Sequence, residues 1–137
     1  MKAKLEEQKV NVRVKLAAMW ASLMFFIIYI DYFHLYMPGS LEELLAGKVF
    51  VFDITQGFLV AALAIIGIPA LMIFLSVGLP AKLSRWANII FAAVNIPLIL
   101  FNLAGAQWMH MVIGAAIEVV LLGLIIWYAW RWPRLQG

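Results

Sequence analysis

Cysteine is absent from this chain. That excludes disulfides, thiolate metal sites and cysteine nucleophiles, and it leaves the compartment open. Charge is scarce as well. Lys, Arg, Asp and Glu make up 12% of the 137 residues, where an ordinary soluble domain carries roughly a quarter. Histidine occurs twice, as His34 and His110. There is no glycine-rich phosphate loop, and no serine, histidine and acid lie at one depth as a catalytic set would. Hydrolysis, phosphoryl transfer and dinucleotide chemistry therefore have no signature here, and the chain is not expected to be an enzyme. The net charge of +3 is carried by basic residues that flank apolar runs, so nucleic acid is not an expected partner.

Apolar residues fill the space these absences leave. They make up 66% of the chain, with a mean hydropathy of +1.01. A chain of this size cannot bury that much apolar surface within itself, so a lipid bilayer is its expected partner. A spanning helix needs about 20 mostly apolar residues. Four runs qualify, over residues 16–36, 55–79, 83–104 and 108–130. They predict an all-α fold, a four-transmembrane-helix bundle forming one integral membrane domain over residues 1–137. The first run is too long for a signal peptide, holds Asp31 and His34, and has no small-residue cleavage site after it. It is expected to be retained as a span.

Basic residues set the expected orientation. Lys2, Lys4, Lys9, Arg13, Lys15, Lys82, Arg85, Arg131 and Arg134 fall on one side of the four spans, and only Lys48 falls on the other. Positive residues favour the cytoplasmic side. Both termini are therefore expected in the cytoplasm of a multi-pass plasma-membrane protein. Trp20, Trp86, Trp127, Trp130 and Trp132 would form an inner aromatic belt, with Trp108 and Tyr36 at the outer interface. Lysines of the N-terminal tail are expected to meet anionic headgroups.

The connections differ in kind. Residues 37–53 contain a Pro38-Gly39 turn signal. Ser40 with Glu43 reads as a capping box for a short amphipathic helix, "LEELLA", which Gly47 can end. This connection is expected to act as a lid on the outer face. The turn at Gly105-Ala106-Gln107 is so short that spans three and four must form a tight hairpin. Pro69 and Pro97 interrupt spans two and three and free the carbonyls of Ile65 and Ala93. Gly57, Ala61, Ala64 and Gly67 in span two, and Gly114 and Gly123 in span four, offer close-packing faces. "WASLMFFIIYI" from Trp20 is similar to "WANIIFAAVNI" from Trp86, as two related hairpins would require.

Polar groups at depth are costly and therefore informative. Asp31 and His34 stand one turn apart on one face of the first span. With Asn102, Gln107 and His110 they fall toward the outer end of the bundle. Asn88, Asn95 and Asn102 recur every seven residues, which keeps them near one face. Glu118 and Asn95 sit near the middle of their spans. The expected architecture is a funnel, wet outside and closed below by greasy packing. Its candidate ligand-binding residues are Asp31, His34, Asn95, Asn102, His110 and Glu118. Asp31, His34 and His110 together are a candidate metal set.

"YID" in span one, "RWANII" opening span three, the mid-span Glu118 and the closing "IIWYAWRWP" resemble a family of small bacterial four-helix membrane proteins of unknown function. In size and layout the chain is loosely similar to the DoxX-like membrane proteins. The resemblance implies a four-helix bundle in a bacterial plasma membrane and carries no activity with it. Three functions from different classes fit the residues. One is a bundle that binds or transports a small ligand or ion through the outer funnel to Glu118. Four short spans leave little room for a complete path, so that reading implies a homo-oligomer. A second is a redox protein holding haem between His34 and His110, or a metal on the Asp31, His34 and His110 set. The third is a structural or accessory membrane subunit.

Overall fold

Each long apolar run forms one helix, because in lipid a backbone must satisfy its own polar groups. The computed structural model describes residues 3–105 and 108–134. Helix α1 covers Val12–His34, α3 Gln56–Gly78, α4 Ala81–Phe101 and α5 Met109–Trp130. A turn of 3-10 helix, Asn102–Ala104, extends α4. All four helices are long and apolar enough to cross a membrane. Between α1 and α3 lie the short helix α2, Ser40–Leu45, and a hairpin of β1, Lys48–Val49, and β2, Phe52–Asp53. Consecutive long helices run in opposite directions. In the bundle α1 packs on α3 and α5, and α4 packs on α5 and α3.

The first helix starts four residues before the expected span. Asn11 caps it, its side chain accepting from the Arg13 amide at 2.8 Å. Arg13 and Lys15 thus belong to the helix. Arg13 donates to the carbonyls of Leu79 (2.7 Å) and Val77 (3.3 Å), at the last turn of α3. Arg85, in the first turn of α4, does the same for α5, donating to Ala129 (3.1 Å) and Trp130 (3.2 Å). Each guanidinium supplies donors where a helix C-terminus leaves carbonyls without partners.

The short helix is capped differently from expectation. Gly39, at φ +85°, precedes it, and Ser40 is its first residue, buried and making no capping bond. The expected capping box is displaced by one residue, because only the glycine adopts the left-handed turn cheaply. Gly47 ends the helix at φ +79° as expected. The hairpin that follows has no sequence signal of the usual kind. Its two-residue turn is Phe50-Val51, with Phe50 at φ +54°. A β-turn of this type favours Asn or Gly. Packing holds the phenylalanine there, its ring edge-on to Phe101 at 6.3 Å and beside Phe52 at 6.4 Å. The connection is thereby tied to the far end of α4.

Candidate functional site

Two groups of polar side chains lie among the helices, one in each half. The first occupies the half nearer the termini, where greasy packing was expected. Trp20, Ser76, Ser84 and Asn88 are all fully buried there. The Trp20 indole donates to Asn88 Oδ1 at 2.7 Å, and the Asn88 amide donates to the Ser84 carbonyl at 2.7 Å. Ser84 Oγ donates to the Ser76 carbonyl (2.9 Å), and Ser76 Oγ to the Met72 carbonyl (2.7 Å). The network joins α1, α3 and α4. Trp20 is therefore a core residue and not part of an aromatic belt. Trp86, its counterpart in the apparent repeat, is 41% exposed and packs edge-on against Trp130. The two segments are alike in sequence and differ in environment.

The second group lies along the seam of α1 and α5, toward the hairpin end. Gly114 is buried where Ile30 crosses it. A Cβ at that position would overlap Ile30 Cδ1 and come within 2.9 Å of its Cγ1. This contact fixes the register of two antiparallel helices. His34 is four residues beyond Ile30 and His110 four residues beyond Gly114, both toward the same end. At 1.5 Å per residue the two histidines reach the same level, about 6 Å from the crossing. Glu118 lies one turn to the other side of Gly114. It is 5% exposed and makes no hydrogen bond or ion pair among the described residues. Asp31 and His34 lie one turn apart on the facing helix, Asp31 next to the crossing residue Ile30.

The expected residues divide accordingly. Asp31, His34, His110 and Glu118 are brought to one seam. Asp31 nevertheless lies exposed on the protein surface, not in an interior funnel. Ile30 takes the inward position at the crossing, which leaves its neighbour about 100° further round. His34 and His110 are half-buried, and His110 Nε2 is buried without a partner. The His110 ring stands edge-on to Trp108 at 6.3 Å. Asn95 is buried on α4 and donates to the Phe91 carbonyl of its own helix at 2.7 Å, not to Glu118. Asn102 is exposed at the end of α4. Gln107 lies outside the described residues. No three His, Asp or Glu side chains converge among the described residues in a way that would hold a metal ion, so Asp31, His34 and His110 do not form a ready-made ligand set.

Other small residues play smaller parts than expected. Gly57, Ala61 and Ala64 are exposed, and Gly123 meets no neighbour within 4 Å. The inward face of α3 is instead Pro69, Met72 and Ser76. Sequence reasoning missed Trp20, Ser76 and Ser84 as a polar unit. Ser84 and Asn88, one turn apart, were the available signal.

Four long apolar helices in one bundle define a small multi-pass membrane protein. The chain belongs to a family of unknown function, DUF6326, whose model matches residues 3–136. No curated protein and no solved structure matches it.

Proposed function

We propose that the bundle binds a small cation at the α1–α5 seam, with Glu118 as its acceptor and Asp31, His34 and His110 at the entrance, and that it serves in passage of that ion across the membrane. Burial of Glu118 without a partner carries this reading. An ionisable group at membrane depth is expensive and is kept for a purpose. A second carboxylate, Asp31 beside the crossing residue Ile30, favours a positive ligand over a negative one. No lysine or arginine lies between Lys15 and Lys48 on the first helix or between Trp108 and Trp130 on the last, so neither element carries a permanent cation to neutralise the pair. The exposed face of Gly57, Ala61 and Ala64 supports association with a second copy. In the purified protein, sodium, potassium or magnesium chloride is expected to raise the melting temperature relative to choline chloride. A salt present at 100 times its Kd adds about 2.7 kcal/mol. Glu118→Gln should keep the helix content and lose that shift. No shift with any of these salts, or one that survives Glu118→Gln, refutes the assignment. Visible absorbance of the same sample tests the haem reading, which rests on the common level of His34 and His110.

The orientation we propose has both termini in the cytoplasm of a bacterium and α2 outside. The nine-to-one distribution of basic residues supports it. The chain has no cysteine, so single cysteines report cleanly. Leu45 and Leu5 are 88% and 95% exposed. An impermeant thiol reagent applied to intact cells should label Leu45→Cys and spare Leu5→Cys. The reverse pattern inverts the topology.

A further inference from the structure

At the end of the bundle where the termini meet, the N-terminal segment, the first turn of α1 and the end of α5 enclose an open groove of about 600 Å³. Four cations line it, Lys9, Arg13, Lys15 and Arg131, and no aspartate or glutamate does. Among the described residues the only ion pair is Lys48 with Asp53, in the hairpin at the other end. None of the groove cations is in an ion pair among the described residues. Three of them are held over aromatic rings instead. Arg13 lies 5.6 Å from the Trp132 ring, Lys15 5.2 Å from Tyr128 and Arg131 5.0 Å from Trp127. Such contacts position a cation without cancelling its charge.

The groove also opens onto an apolar track. Trp127 lines it, and Leu124, Val120 and Ile117 follow along α5 at intervals of three or four residues. That spacing keeps them on one side of the helix, and all four are exposed. A concentrated positive head site continuing into an apolar stripe matches an amphiphile of opposite charge. We propose that this groove binds an anionic phospholipid. Its phosphodiester sits among Lys9, Lys15 and Arg131, and an acyl chain lies along Trp127, Leu124 and Val120. A zwitterionic lipid brings a cation of its own to four like charges. A free phosphate has nothing to place on the stripe.

The test uses the full-length protein in neutral detergent with equimolar dioleoyl phosphatidylglycerol and dioleoyl phosphatidylcholine, read by native mass spectrometry. Phosphatidylglycerol should be retained preferentially. The triple variant Lys9→Gln, Lys15→Gln and Arg131→Gln should weaken retention on the order of a hundredfold, since each cation near a charged surface is worth about fivefold. Lys9→Gln alone, in the segment outside every helix, should weaken it about fivefold, with no bearing on folding. Lys82→Gln, at the same end but outside the groove, should change nothing. Equal retention of the two lipids, or retention unchanged in both the single and triple variants, overturns the proposal. So does displacement of the lipid by millimolar inorganic phosphate, which marks a site for a soluble anion.

Discussion

Trp20→Ala is expected to lower the stability of the bundle by about 3 kcal/mol, more than any other single truncation in the half near the termini. The side chain is fully buried and touches the core formed by Leu16, Leu23, Met72 and Leu122. Two losses combine. Packing contacts vanish around a cavity the size of an indole, and in a membrane such contacts are the main force between helices. The indole donor to Asn88 vanishes too, although Ser76 Oγ remains 3.3 Å from the same oxygen. Trp20→Phe separates the two contributions, because it restores most of the volume and none of the hydrogen bond. It should cost about 1 kcal/mol, in the range of interhelical bonds in lipid. Unfolding in mixed micelles reads both values. Equal losses for Ala and Phe would assign the whole effect to the hydrogen bond and contradict the packing account.

Gly114→Leu is expected to cost about 1–3 kcal/mol and to abolish cation binding at the seam. A leucine meets Ile30 at once, since even a Cβ overlaps its side chain. The helices must separate or slide, and the levels of His34, His110 and Glu118 then no longer agree. Gly114→Ala is a milder case, because the far end of Ile30 can rotate away. Ile30→Ala gives back room on the opposing helix. The pair Gly114→Ala with Ile30→Ala should therefore bind better than Gly114→Ala alone, and a double-mutant cycle measures that coupling. Additive effects would mean that the crossing does not set the register of the seam.

The helices were legible because length and apolarity together leave no other structure in lipid. Their faces were not. A helix that is hydrophobic all round carries no stripe to say which side is inward, so Trp20 looked like any other tryptophan. The start of α1 was placed a turn late because Arg13 and Lys15 read as a boundary. Both belong to the helix, one charge reaching a neighbouring helix end and the other an aromatic ring. The asparagine stripe was legible for Asn88 and Asn95, which are both buried, and failed at Asn102, which is exposed where α4 tightens into 3-10 geometry. Along the candidate site, depth could be read from position in the run. The side on which Asp31 emerges depends on the Ile30–Gly114 crossing, which no local pattern encodes.

The two arginine contacts also differ in how much of the chain each one needs. Arg13 finds its acceptors at Val77 and Leu79, and Arg85 at Ala129 and Trp130. The first contact closes α1 on α3 and draws on no residue beyond 79, so it needs neither α4 nor α5. The second closes α4 on α5 and draws on residues as far as 130. Removing α5 would leave the first contact its acceptors and take both carbonyls from Arg85. The same two side chains that finish the helix ends thus divide the bundle into two pairs, each closed by one arginine from its first helix.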